Sequence, residues 1–272
     1  NNHSDGIMYL NNWVGGYKGN MRNNTSITIK NPNTTSYSSM LEEVATKPGS
    51  QIKVNYTSET DMLVSNMIAG KSEDSNVIKG DCIECGNYVP IGTEIDINGE
   101  KFNVISQTDD TITMLAQYNL STEYKQSTTV NSVTFSNTNG WEYTPGPKEI
   151  DIQIWSTNPK TYVNAYVEYL KTELEDDSVT GDLITLTELK DLGCTIPSAY
   201  EYVSSSSSRT CTNSPYKSWL INNQGWWSRS ANSTNANNAW NVNNNGNLNN
   251  NNYNNNNGVR PTSFETIIYY TT

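Results

Sequence analysis

The chain reads as an α+β protein. A small β-rich N-terminal region, residues 1–85, precedes a larger domain of antiparallel strands with two main helices, residues 86–272. Three observations predict this. Residues 94–104 alternate apolar and polar side chains about an Asn-Gly pair, the strongest short-range hairpin signal. Residues 158–174 carry Val163, Tyr166, Val167, Leu170 and Leu174 at helical spacing. The composition is 34% hydrophobic and 17% charged. Roughly two fifths is Ser, Thr, Asn and Gln, far above an ordinary soluble domain and suited to exposed strands and loops.

Taken in order, Trp13 to Tyr17 and Ser26 to Lys30 are strand fragments among Asn and Thr turns. Residues 40–44 and 62–68 each predict a short helix. The first has Ser38 and Ser39 as caps; the second has Ser58, with Glu59 and Asp61 in its opening turn. No function follows from this part, which reads as a stalk, a small subdomain or an insertion. The hairpin at residues 94–104 continues through a return at residues 108–110 into a strand bearing Ile112, Met114 and Ala116 on one face, giving an antiparallel meander. Residues 150–155 alternate again, as a strand or the run-in to a helix. Asn158 and Pro159 form an N-cap and first helical position for the helix that follows. A shorter helix is expected after Thr187, with Leu189 and Leu192 inward and Gly193 as its stop. Residues 204–208 make a polar Ser loop, and residues 215–220 a helical turn carrying Trp219 into the core.

Charge and special residues exclude several functions. Acidic residues number 28 against 17 basic, a net charge of −11, so phosphate backbones are repelled and no nucleic-acid partner is expected. No apolar run is long enough for a membrane span, and residues 1–5 read as a trimmed mature end or an artificial boundary. The only histidine is His3, which leaves no Ser–His–Asp triad, Cys–His pair or multi-histidine metal site unless that end folds in. Four cysteines read as two structural disulfides: Cys194 with Cys211 closing the Ser-rich loop, and Cys82 with Cys85 as a tight local loop. Half a zinc knuckle or a redox pair is the competing reading of Cys82 and Cys85. Against it, Gly80-Asp81 and Gly86-Asn87 read as turns rather than a helix start. Carboxylates at Asp109-Asp110 and Glu175-Asp176-Asp177 fit turn and helix-end roles better than a glycosidase pair. Neither an enzyme nor a cofactor or metal is expected.

The unusual feature is the tract from Asn232 to Asn257, with 17 asparagines in 26 positions. Trp240, Val242, Gly246, Leu248 and Tyr253 interrupt it at positions that make a hairpin: one face apolar, the other filled with one residue type. A disordered or aggregation-prone Asn tract is the competing reading. The frame around it, Gly225-Trp226-Trp227-Ser228-Arg229-Ser230-Ala231, then the tract, then Gly258-Val259-Arg260-Pro261, resembles the C-type-lectin-fold variable proteins of diversity-generating retroelements. These are bacterial surface and phage proteins that share their fold with formylglycine-generating enzymes. The likeness spans about residues 86–272, and only its C-terminal frame is specific. In that family a reverse transcriptase mutates template adenines, so codons of the Asn type become the diversified positions.

The resemblance implies a C-type lectin fold and a non-enzymatic, surface-displayed binding protein. Its variable-type region would be residues 226–261, and its localisation extracellular, at a cell or virion surface. The partner would be an extracellular protein or glycan, with filament or cell-wall attachment through the N-terminal region. The ligand-binding positions would be Asn232, Asn235, Asn237, Asn238, Asn241, Asn243, Asn245, Asn247, Asn249, Asn251, Asn254 and Asn256. Trp226, Trp227, Trp240 and Tyr253 would lock the opposite face, with Gly258 and Pro261 shaping the exit. Arg229 and Arg260 would act as structural forks on loop carbonyls or a carboxylate. A structural surface subunit, pilin-like or of a tail fibre, with a merely solvated Asn face, is the alternative. Two departures stand out. Thr262-Ser263 intervenes before a still readable final strand with Phe264, Ile267, Ile268 and Tyr270, where the family often continues with an apolar strand at once. Trp240-Asn241 alone echoes the calcium motif of ordinary lectins. Cys194 and Cys211 precede the frame without basic neighbours, unlike the reactive pair of the enzyme branch.

Overall fold

The structure, a computed structural model, describes residues 6–10, 13–18, 25–33, 41, 44–108, 110–129, 158–196, 209–232, 235 and 237–266. It is mixed α+β, and the chain separates into two compact units, Asn1–Pro90 and Ile91–Thr272.

In the first unit β1 (Gly6–Leu10) and β2 (Trp13–Lys18) pair antiparallel with a bulge at Met8/Tyr9. A second sheet runs β3 (Thr25–Thr28), β4 (Ile52–Tyr56), β5 (Val77–Cys82), and it is parallel. Parallel neighbours need a crossover, which α1 (Asp61–Ala69) supplies between β4 and β5. Ile52, Val54 and Tyr56 alternate inward along β4 and join Ile29, Val64, Met67 and Val77 in one core. The unit is strand-rich as expected, but sequence reading had assigned neither β4 nor β5. Gly80 and Asp81, expected in a turn, lie inside β5. Gly80 is needed there because a Cβ would sit 2.1 Å from Asn55 Oδ1 and 3.0 Å from the Val54 carbonyl carbon.

The helix expected at residues 62–68 is present, but a 3-10 turn at Ser58–Thr60 precedes it. The Thr57 N–H donates to Thr60 Oγ1 (2.8 Å), so Ser58 is not its cap. Asp61, fully buried, accepts from Lys79 and from Tyr88 Oη (2.7 Å), which satisfies its charge. Of the helix expected at 40–44, Leu41 and Val44 lie in turns, and Met40, Glu42 and Glu43 fall outside the described residues.

The second unit is built on a five-stranded antiparallel sheet: β6 (Glu94–Ile97), β7 (Glu100–Gln107), β8 (Thr111–Ala116), β9 (Thr180–Leu183) and β13 (Pro261–Thr266). Their order is β6-β7-β8-β13-β9, which places β13 between strands far from it in sequence. Asn98 and Gly99 take positive φ, 50° and 90°, and close the β6–β7 hairpin. The helix α2 (Asn158–Leu174) buries Val163, Tyr166, Val167 and Leu170 and packs on β9 and β6. Gly181 of β9 lets it settle, since a Cβ would lie 2.5 Å from Val167 Cγ2. Tyr166 Oη donates to Glu100 Oε2 (2.8 Å), and the same oxygen accepts from the Gln126 N–H (2.9 Å), tying helix, strand and loop together.

The short helix α3 (Leu186–Asp191) begins one residue before Thr187. Thr185 caps it through a capping box with Glu188, at 3.0 Å and 2.7 Å. In α4 (Lys217–Leu220) it is Leu220 and the preceding Tyr216 that are buried. Trp219, expected in the core, is half-buried against the Tyr216 ring at 5.6 Å. The segments 150–155 and 204–208 and residues Ile267, Ile268 and Tyr270 lie outside the described residues. No helix among the described residues is long and apolar enough to cross a membrane.

Candidate ligand-binding face

The Asn tract folds onto a separate three-stranded sheet, β10 (Trp226–Ala231), β11 (Asn238–Val242) and β12 (Leu248–Asn252), with β12 at its edge. Cross-strand partners share a face. One face therefore carries the pairs Val242–Leu248, Trp240–Asn250 and Asn238–Asn252, the other Asn241–Asn249 and Ala239–Asn251. Trp226 stands opposite Val242 on the first face, and Trp227 opposite Asn241 on the second. Trp226, Trp227, Trp240, Val242 and Leu248 are all fully buried.

The expected division, one apolar face and one Asn face, is thus replaced by a division between strands. β10 and β11 are covered on both sides apart from Arg229 and Asn238, whereas Asn249 to Asn252 of β12 are half-exposed on both. Two expected binding residues are corrected by this. Asn241 is 0% and Asn232 1% exposed, so neither offers surface to a macromolecule. Asn241, lying opposite Trp227, donates to Asn243 Oδ1 (2.9 Å) and Asn257 Oδ1 (3.4 Å). Asn232 closes its loop through the Asn238 carbonyl (2.9 Å) and accepts the Asn235 N–H on Oδ1 (2.9 Å).

The other ten stay accessible. Asn235, Asn237, Asn245, Asn254 and Asn256 are exposed, and Asn238, Asn243, Asn247, Asn249 and Asn251 are half-buried. Sequence reading had left out Asn244, Asn250, Asn252 and Asn255, which share this surface. Strict alternation from Leu248 would turn Asn250 and Asn252 inward, yet at an edge strand both faces reach water. Several of these asparagines also shape the backbone. Oδ1 of Asn235, Asn245 and Asn252 accepts the N–H two residues on, at 3.0, 3.1 and 3.3 Å, the Asx-turn geometry. In the β11–β12 turn the Gly246 N–H donates to the Asn243 carbonyl (2.9 Å). Gly246 has φ 85°, and a Cβ there would lie 2.3 Å from Ile221 Cδ1.

The frame around the face is held by backbone and by two arginines. Arg260 is 0% exposed; its guanidinium lies 5.1 Å from the Trp226 ring centroid and donates to the carbonyls of Ala116, Leu220 (2.9 Å) and Trp219 (2.8 Å). Burial lowers its pKa to about 9. Arg229 Nη1 sits 3.4 Å from Asp182 Oδ2, and its N–H donates to the Ile184 carbonyl (3.0 Å), pinning β10 beside β9. The Gly258 carbonyl accepts the Trp227 N–H (2.9 Å), and a Cβ on Gly258 would be 1.9 Å from Asn119 Nδ2. Pro261 opens β13 opposite Leu183. Thr262 and Ser263, expected ahead of the final strand, are buried within β13. Tyr253, expected in the lock, is only half-buried.

Cys194 and Cys211 are bonded and buried, bracketed by reciprocal backbone bonds between Thr195 and Thr210 (2.8 and 3.1 Å). Cys82 and Cys85 are bonded in the first unit, at the end of β5. Among the described residues no three His, Cys, Asp or Glu side chains converge as a metal site.

Residues 188–263 match a Domain of unknown function (DUF6273). The matched stretch runs from within α3 into β13 and contains the Asn face, both cysteines of the buried disulfide, and Arg229 and Arg260. No curated protein and no solved structure matches the chain.

Proposed function

We propose that this chain is a non-enzymatic, surface-displayed binding protein of the C-type-lectin-fold variable type. Its Asn-rich face is a diversifiable site for an extracellular protein or glycan. One observation carries the reading. Among the described tract positions, the residues other than Asn are mostly the fully buried ones, Ala239, Trp240, Val242 and Leu248, with the buried turn glycine Gly246. Asn meanwhile occupies nearly all the accessible ones. A rigid frame carrying solvent-facing positions that tolerate many side chains is what a diversified site needs. Asn is short and lacks an aromatic anchor, so affinity in this form is weak and rises as face positions become Tyr, Trp or Arg.

The frame residues Trp226, Trp227, Arg229 and Gly258 to Pro261 support the lectin-fold assignment by their coupled burial and bonding. The alternative, a pilin-like or tail-fibre subunit with a polar coat, draws support from the Asx turns, which give several asparagines a backbone role. Filament or cell-wall attachment through residues 1–85 belongs to either reading. Sequencing the DNA encoding residues 225–262 across a population separates them. Substitutions confined to the accessible Asn codons, with Asn232, Asn241, Trp240, Val242, Gly246 and Leu248 constant, are expected. An invariant tract, or changes spread over buried and exposed codons alike, rejects the diversified face and leaves the structural subunit.

A further inference from the structure

We infer that Arg209 is the anchor of a site for a carboxylate, carried by an Asp or Glu side chain of an extended peptide that docks along β12. For the identity of the ligand the inference rests on the binding reading of the Asn face; the anion site itself does not.

Arg209 is 6% exposed, and its guanidinium lies 5.3 Å from the Trp240 ring centroid. Its carbonyl accepts the Leu248 N–H (3.0 Å), and Thr210 bridges to Asn247, so this short stretch runs beside the start of β12. Among the described residues neither Nε nor Nη1 of Arg209 reaches a hydrogen-bond acceptor, and no carboxylate pairs with it. The Trp240 Nε1 beneath it is also buried without an acceptor.

Arginine stays protonated, so this is a fixed cation taken out of water. Removing a charge from water is costly, and stacking on Trp offsets only part of that cost. Each fork of the guanidinium, Nε with Nη2 or Nη1 with Nη2, keeps an open N–H, and a carboxylate presents two oxygens at matching separation. A polyanion is disfavoured by the chain's net charge of −11 and by the 6% exposure of Arg209. A single acidic side chain fits both constraints. Among the described residues β12 is the edge of its sheet past Leu248, so a peptide strand would find backbone groups to pair with, an advantage a sugar lacks.

The test uses the full chain and its arginine Nε–H resonances in ¹H–¹⁵N spectra, with Arg209→Met and Arg209→Lys identifying the Arg209 signal. Sodium acetate replaces sodium chloride at constant ionic strength, followed by N-acetylglutamate methylamide and by N-acetylneuraminate. A saturable downfield shift with acetate is expected, together with a rise of about 2–4 °C in thermal midpoint at tenfold excess over Kd, absent in Arg209→Met. N-acetylglutamate methylamide should bind at least as tightly as acetate. An Nε–H signal unmoved by all three probes overturns the site. Tenfold tighter binding of N-acetylneuraminate than of the glutamate derivative overturns the peptide and assigns an acidic sugar. Because acetate asks nothing of the Asn codons, a negative titration leaves the population-sequencing test standing, and an invariant tract leaves the anion site standing.

Discussion

Two arginines in the second unit lie over tryptophans of the same sheet, at 5.1 Å for Arg260 on Trp226 and 5.3 Å for Arg209 on Trp240. Both are more than nine-tenths buried. Arg260 spends its donors on the carbonyls of Ala116, Trp219 and Leu220, joining β8, α4 and β13 in one bonded corner. Arg209 finds no acceptor for Nε or Nη1 among the described residues. The pairs match in chemistry and stacking and differ only in where the N–H groups go. Burial of an Arg–Trp pair is therefore no sign of function by itself; the accounting of donors separates a structural bolt from an open site.

Arg260→Met breaks the closed pair and gives the largest effect. It strands three carbonyls, those of Ala116 and Leu220 in buried bonds, and should cost about 3–5 kcal/mol in chemical denaturation, similar to Trp227→Ala through its cavity. A Trp227→Ala protein with unchanged denaturation would refute the core assignment of β10. Next, Asn241→Ala should cost about 1–3 kcal/mol because it unpairs buried amides, whereas its cross-strand partner Asn249→Ala should stay within about 0.5 kcal/mol. Equal costs at the two positions would erase the distinction between frame and face.

Arg209→Met, by contrast with Arg260→Met, should be near neutral or stabilising without ligand, because no partner is lost and a lone buried charge is removed. A loss comparable to that of Arg260→Met would show that the pair is structural after all. The smallest effect concerns Glu94 in the main sheet, whose carboxyl is held below the ordinary glutamate range by hydrogen bonds from Lys101 and Gln117. A depressed carboxylate stabilises the fold above its unfolded pKa and loses that contribution as pH falls through the folded value. Glu94→Gln should therefore flatten slightly the acid limb of stability against pH, and only at low salt, since both partners are exposed.

The sequence by itself determined what local periodicity encodes. The Asn98-Gly99 hairpin, α2, and the Asn243 to Gly246 turn between β11 and β12 were legible because their partners are close in the chain. So was the sorting of Trp240, Val242 and Leu248 from the asparagines around them. The parallel β3–β4–β5 sheet was not, because its pairings join residues more than twenty positions apart and its last strand contains a glycine that reads as a turn. Nor was the burial of Asn232 and Asn241: alternation states which side of a strand a residue occupies, not whether another layer covers that side. Arg209 gave no local signal, standing alone after a run of serines. Only the tertiary structure brings it over Trp240 and withholds an acceptor, because solvation and hydrogen-bond partners depend on groups that meet from distant parts of the chain.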